Sequence, residues 1–283
     1  VMKGGNPTMR MNVIREGKQT GILVAESGLG SYFMNDIFGN SLAGVCVMTG
    51  GNPQMRKNTI HEGNNTGVTV MDEGLGVFEE NMIYRNEAAG VEVTKGGNPT
   101  FRKGNFIHDG RQSGVLVWNE GLGTFDGNKI FENMLAGVEV ESKGNPTMVN
   151  NTIYNGKVSG VYCHDDGRGQ FTSNDIYGNQ GHGVEVTTTA NPKFDGNNIY
   201  NGCQSGILVD LNGQGTFCTN DIYGNTTNGF EVKGNATPLA KSNRVHNNHE
   251  TGVKVYDDGL GVFESNEIYG DAIACVEITT LGA

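Results

Sequence analysis

The chain has 283 residues, 45 of them glycine and only 6 proline, with 36% hydrophobic and 18% charged residues and a net charge of −11. That composition excludes a collagen triple helix, which needs glycine at every third place and abundant proline. It also argues against a nucleic-acid partner, whose phosphates call for a basic surface, and no apolar run is long enough to insert into a membrane.

The chain opens on Val1-Met2-Lys3-Gly4-Gly5-Asn6-Pro7, which matches Val93 to Pro99 and reads as the end of a unit whose first part lies upstream. From there one pattern recurs. Asn stands at 12, 35, 58, 81, 105, 128, 151, 174, 197, 220, 243 and 266. Two places later comes Ile in eleven copies and Val245 in the other. An aromatic residue or Met usually stands three places before the Asn, as at Met9, Tyr32, Met55, Phe78 and Phe125. Gly-apolar-x-apolar follows at Gly21, Gly44, Gly67, Gly90, Gly114 and onward, with Cys275 in the last glycine place. The step is 23 residues except for one of 24 between Gly90 and Gly114, which puts the extra residue near Gly104.

Apolar places alternate within each unit, as in Val91/Val93 and Val138/Val140. A period of two is a strand signal. About three short strands fit in each unit, separated by Gly/Asn/Asp turns. One unit cannot bury its inner face alone, but stacked copies bury a continuous core. The predicted fold is therefore all-β: a right-handed, single-stranded parallel β-helix of about 12 coils with 23 residues per coil, forming a single domain over 1–283. Leucine-rich repeats share this range of periods but need a Leu-rich spacing that is not present. Asn facing inward should form a ladder, and the Gly-Val-x-Val glycines should mark corners that need positive φ or close backbone approach.

Two coil types alternate. One carries Gly-Asn-Pro, as at Gly51-Asn52-Pro53; the other carries Gly-x-Gly, as at Gly74 to Gly76. No helix follows those glycines, so they read as turns and not as a phosphate loop. The segment from Cys275 to Ala283 ends without a polar cap. Solenoids need capping units, so the domain is expected to be part of a longer chain or to have its ends covered. Cys46, Cys163, Cys203, Cys218 and Cys275 share no column on adjacent coils, which predicts free thiols and favours an intracellular compartment.

The stretch GNPTFRKGNFIHDGRQSGVLVWNEGLGTFDGNKIFENMLAGVEV resembles the right-handed β-helix repeats of the pectate-lyase-like superfamily. Within it, the CASH branch (carbohydrate-binding proteins and sugar hydrolases) is most similar, and the N-x-I-H-x-G pattern is similar to the β-helix domain of F-box ubiquitin-ligase subunits. The resemblance spans essentially the whole chain and implies a right-handed winding. It also implies lyases, hydrolases, epimerases or non-catalytic adaptors as possible functions.

Candidate chemistry falls into separate columns of the repeat. Cys163-His164-Asp165-Asp166 offers a base and two acids, yet Asp72-Glu73, Asn119-Glu120 and Asp257-Asp258 fill nearly the same places, so a turn is expected. In Gly181-His182-Gly183 the second glycine belongs to the structural column. Glu92, Glu139, Glu185, Glu231 and Glu277 recur two coils apart, too far to share a cation, and are expected on a solvated sheet face. Arg10, Arg56 and Arg102 are expected to pair with Glu79 and Asp126. The residue after each inner Ile should face outward: Phe38, His61, Tyr84, His108, Phe131, Tyr154, Tyr177, Tyr200, Tyr223, His246 and Tyr269. Such a strip would stabilise itself by stacking or bind a partner.

Near-perfect periodicity argues for a non-catalytic scaffold or protein-interaction module, because an active site normally breaks a repeat. The alternatives are a carbohydrate-binding or polysaccharide-modifying protein (a lyase, hydrolase or epimerase) and the substrate-recognition domain of an F-box-type ligase. No residue pattern calls for a cofactor or a metal. Protein partners on the flank or ends are expected, with carbohydrate as the second class.

Overall fold

The computed structural model describes residues 1–279; residues 280–283, the last of the tail after Cys275, lie outside the described residues. The chain winds into three sheets of twelve strands each, and every strand but the first and last of a sheet pairs with its counterpart in the coil before and after. The pairing is parallel and in register, as in Tyr84↔His61 and Tyr84↔His108. Sheet I runs from Thr8–Arg10 to Val262–Glu264, sheet II from Val13–Arg15 to Glu267–Tyr269, and sheet III from Ile22–Val24 to Ala274–Ile278. The period-two alternation therefore maps onto strands of mostly three residues, and the described residues contain no helix.

The core lies inside the winding. Ile60, Ile83, Ile107 and Ile130 from sheet II, and Val91, Val93, Val115 and Val117 from sheet III, are wholly buried. Each such side chain stabilises the fold by about 1.5–3 kcal/mol. Sheet I fills the remaining space with large rings. Phe78, Phe101 and Phe125 stack with centroids 4.2 Å and 5.1 Å apart, and Phe171, Phe194 and Phe217 form a second run.

Left-handed residues turn all three corners. Between sheets I and II stands one such residue, for example Lys57 at φ 53, followed by the Asn column. The Nδ2 of Asn58 donates to Asn81 Oδ1 at 3.0 Å and to the Tyr32 carbonyl at 2.9 Å, while its backbone N–H reaches the same Asn81 oxygen at 2.9 Å. This satisfies buried backbone groups that the turn leaves unpaired. A second ladder stands between sheets II and III, and here Gly63, Gly110 and Gly156 alternate with Asn86, Asn133 and Asn179. Gly110 N–H donates to Asn133 Oδ1 at 3.0 Å, and Asn133 Nδ2 donates to the Ile107 carbonyl at 3.3 Å. The third corner uses two consecutive left-handed residues, such as Asp165 and Asp166 at φ 46 and 63.

The Gly-Val-x-Val glycines resolve to close approach and not to positive φ. A methyl group on Gly114 would stand 2.5 Å from Ile130 Cγ2 and 2.7 Å from the Gly137 carbonyl. The Gly-x-Gly turns are confirmed as turns, with Gly76 and Gly123 at φ 120 and 113. The extra residue is accommodated at Gly104, at φ 79 with open space around it. All five cysteines are free, and Cys46 and Cys163 are buried.

Candidate functional site

The outward strip of sheet II forms one unbroken stack of rings. Centroid separations run from 4.6 Å for His108–Phe131 to 5.3 Å for Tyr84–His108, and the stack extends from Phe38 through His61, Tyr84, His108, Phe131, Tyr154, Tyr177, Tyr200, Tyr223 and His246 to Tyr269. The Arg15 guanidinium continues it, 5.9 Å from the Phe38 centroid. The inner rings therefore have both faces against neighbours and turn their edges to solvent. Acids brace the histidines from the side: Asp36 lies 3.0 Å from His61 Nε2, and Asp221 lies 3.0 Å from His246 Nε2.

Sheet I carries the expected ion pairs only in part. Arg102 reaches Glu79 at 2.8 Å, but Arg56 pairs with Glu80 at 2.7 Å and Arg10 lies over the Phe33 ring. Asp126 instead accepts from Asn150 Nδ2 at 3.2 Å. Glu80 is the left-handed residue just past the strand, at φ 54, and it takes Arg56, while the strand residue Glu79 takes Arg102.

The glutamates of sheet III depart most from expectation. They are not a freely solvated column: Glu231 is only 8% exposed, and Glu92, Glu139, Glu185 and Glu277 are half-buried. The reason is a hydroxyl 26 residues upstream in four of the five. Ser113 donates to Glu139, Ser159 to Glu185 at 2.6 Å, Ser205 to Glu231 at 2.5 Å and Thr251 to Glu277 at 3.2 Å. Glu92 takes its hydroxyl from Thr69 at 3.2 Å. Each hydroxyl exchanges water for a fixed bond and draws its carboxylate down against the sheet.

A third column, one residue past each strand, supplies further donors. Trp118 Nε1 donates to Glu92 at 3.0 Å, and the Tyr256 hydroxyl donates to Glu231 at 2.5 Å. His164 Nε2 donates to Glu139 at 3.3 Å while its Nδ1 donates to Asp165 at 2.9 Å, and the ring stacks on Tyr162 with centroids 4.3 Å apart. From Trp118 to Tyr256 the face is therefore three columns wide: hydroxyls and amides, then carboxylates alternating with Leu116, Tyr162 and Leu208, then rings and charges.

The electrostatics follow from these contacts. Burial pushes the His164 imidazole down, but the bonds to Glu139 and Asp165 outweigh it and hold the pKa at about 9. It is a cation at neutral pH and is not available as a base. Burial pushes Glu139 up, yet the bonds from His164 and Ser113 leave it below its ordinary value. Glu231 is likewise pulled down on balance, against burial, by Ser205, Tyr256 and Asn228. Burial raises Glu141 and the Tyr256 phenol, and Glu231 raises the phenol further. Burial lowers His182, which is therefore neutral.

Ligand atoms of Glu141, His164 and Asp165 lie within 4.8 Å of one another. Both nitrogens of His164 already carry protons toward carboxylates, so this cluster is a closed ion network and not a cation-ready site. Two hollows open on the face. One of about 400 Å³ adjoins Glu92 and Leu116, and one of about 390 Å³ adjoins His182, Glu231, Lys254 and Tyr256. A larger hollow, about 730 Å³, follows the left-handed turns beside Asp165 and Asp166. It lies off the three columns and gathers no rings.

The description "Right handed beta helix region" matches residues 1–153, 77–197 and 136–283, which together span the chain. The chain belongs to the right-handed β-helix family. No curated protein matches its sequence. Solved β-helix structures share its winding. The A-module of Azotobacter vinelandii mannuronan C-5 epimerase AlgE6 has 15% identity and a TM-score of 0.56, with 99% of this chain and 91% of that one covered. The A-module of A. vinelandii AlgE4, another mannuronan C-5 epimerase, has 14% identity and a TM-score of 0.53, with the same coverage. A double mutant of the periplasmic alginate epimerase AlgG has 16% identity and a TM-score of 0.52, with 92% and 66% covered. At these identities the likeness is one of fold, and the function of this β-helix has to be argued from its own face.

The structure places the predicted strip on sheet II and gathers His164, His182 and the glutamates on sheet III. Sequence reasoning missed the hydroxyl column and its partners Trp118 and Tyr256. The signal was present: Ser or Thr precedes the glycine at Ser113, Ser159, Ser205 and Thr251, always one coil before a Gly-x-Glu-x copy.

Proposed function

We propose that this β-helix binds a polysaccharide along the outer face of sheet III and does not transform it. The observation that carries the reading is the three-column face between Trp118 and Tyr256. Half-buried rings, carboxylates and hydroxyls converge there on one flat strip, the composition that recognises sugar rings and their hydroxyls. The epimerase relatives in fold add support from carbohydrate-acting proteins, as an analogy.

The same contacts argue against turnover. A glycoside hydrolase needs one carboxyl kept protonated and facing a second across the scissile bond. Here burial raises Glu141, but it faces the His164 cation at 3.7 Å. His182 and the Tyr256 phenol line one hollow, but the phenol is committed to Glu231 at 2.5 Å and is not a free proton donor. The sheet II ladder spends its ring faces internally, and we assign it to stiffening the coil. The F-box ligase role implied by resemblance draws on no residue of this strip.

The test is a binding isotherm against a panel of soluble polysaccharides, paired with detection of new reducing ends, unsaturated products or epimerised sugars. Saturable binding without product is expected, and Trp118→Ala with Tyr162→Ala should weaken it at least about tenfold when measured well below the melting temperature of the variant. Product from any polysaccharide would show that the face is an active site. Absence of binding to every polymer would remove the reading.

A further inference from the structure

The spacing of the sheet III carboxylates narrows the polymer class. This step rests on the glycan-binding reading. Strand register places Leu116 between Glu92 and Glu139, Tyr162 between Glu139 and Glu185, and Leu208 between Glu185 and Glu231. The acids thus repeat every two coils, roughly 9.6 Å on strand spacing. In an extended β-1,4-linked chain each pyranose is flipped relative to the last. The same substituent returns to the same side once per two sugars, which is a length on this scale. A flat two-fold ribbon laid along the coil axis would present one substituent to each glutamate and a C–H ring face to each intervening Leu or Tyr.

Charge selects the substituent. Besides the glutamates, Glu141 and Asp210 line the strip, against the cations His164, Lys233 and Lys254. Polyuronates would be repelled by that excess, and a protonated amine would be attracted. Glu185 is the least committed acceptor. Its Oε2 is fixed by Ser159 at 2.6 Å and it forms no salt bridge among the described residues, so the carboxylate is preorganised with its other oxygen open. Thr94, only 3% exposed and two residues past Glu92, has an Oγ1 without a partner among the described residues. The same is true of the Nδ1 of His182, three residues before Glu185. Unpaired buried polar atoms cost about 1–3 kcal/mol each, and rotation of either side chain toward the strip would let a sugar hydroxyl relieve that deficit.

We infer that the ligand is a linear β-1,4-linked glycan bearing free amines, a polyglucosamine, lying along the coil axis in step with the two-coil repeat and with one amine on the open oxygen of Glu185. A basic peptide in a polyproline II helix would repeat at about 9.3 Å. Its three-fold section engages one line of contacts, whereas the hydroxyl column and the Trp118–His164–Tyr256 column flank the acids on both sides as a flat ribbon requires.

The experiment measures binding of glucosamine oligomers of increasing length at mildly acidic pH. Matched N-acetylglucosamine oligomers, cello-oligosaccharides, oligouronates and a Lys-Pro-Pro repeat peptide serve as comparisons. The glucosamine hexamer should bind at least about tenfold tighter than its acetylated counterpart, with affinity climbing in two-sugar steps and falling with salt. Glu185→Gln, nearly isosteric and able to keep the Ser159 bond, should weaken it about tenfold with the melting temperature unchanged; Ser159→Ala should weaken it less. Equal or tighter binding of neutral or uronate oligomers would overturn the amine inference and leave the glycan reading standing. Tighter binding of the peptide, or no binding to any glycan, would overturn both.

Discussion

Asn128 and Asn151, one coil apart, share a single oxygen: Asn151 Oδ1 accepts from the Asn128 backbone N–H at 2.9 Å and from its Nδ2 at 3.0 Å. Asn128 in turn serves Asn105 in the same way, at 3.2 Å and 2.8 Å. Both side chains are buried. Every rung is therefore donor and acceptor at once, and removing one strands groups on both neighbours.

Asn128→Leu keeps the volume and deletes the polar atoms. The Asn105 N–H and Nδ2 lose their acceptor, and the Phe101 carbonyl and Asn151 Oδ1 lose a donor. At about 1–3 kcal/mol for each buried group left unsatisfied, a loss of about 3–5 kcal/mol is expected in denaturant titration. Glu139→Gln, on the outer face, should cost less. Equal losses for the two variants would contradict the inward assignment.

The His164 network gives a pH signature. Its pKa is raised above the free value to about 9, so its contribution is complete below the free value and is lost as pH rises through about 9. Glu139 and Asp165 are shifted the other way, and their contribution is lost as pH falls through their depressed values. Melting temperature should therefore decline between about pH 7 and 10 in the native chain, by the equivalent of up to about 2 kcal/mol after solvent screening. In His164→Gln that decline should flatten. A parallel slope in the variant would place the titrating group elsewhere.

Leu211 sits in the third corner at φ 47 and is 53% exposed. A left-handed backbone is unfavourable for a Leu side chain and tolerable for Asn. Leu211→Asn is expected to raise stability by about 0.5–1 kcal/mol, and Leu211→Val to lower it by a similar amount. Thermal melts of the two variants should bracket the native chain.

Tyr177 stacks between Tyr154 at 5.1 Å and Tyr200 at 5.0 Å. Tyr177→Ala removes two ring pairs, each worth about 0.5–1.5 kcal/mol beyond burial, so a loss of about 1–3 kcal/mol is expected while Tyr177→Phe stays near neutral. Neither should alter glycan affinity. A large affinity loss in Tyr177→Phe would move the binding site to sheet II.

The winding was legible because its determinants recur in place: Asn every 23 residues, Ile two places on, Val alternating across the third strand. The second ladder was equally visible in Gly63, Asn86, Gly110 and Asn133, but a column that is half glycine does not register as a column. The environment of the sheet III acids was harder to read. Glu139 depends on Ser113 and His164, 26 and 25 residues away in opposite directions, and an outward position in a strand says nothing of what folds over it. His164 read as a turn residue because its sequence neighbours are one. Its charge comes from the coil below.

The surplus residue at Gly104 is swallowed without disturbance. Asn81 still bonds Asn105 at 2.9 Å, and Phe106 still pairs with Met82 and Lys129. Length at this elbow is thus decoupled from the spool. Foreign peptides spliced there should ride outside the cylinder as tethered ornaments, which makes the elbow a natural graft point for displaying epitopes at a fixed pitch along a rod.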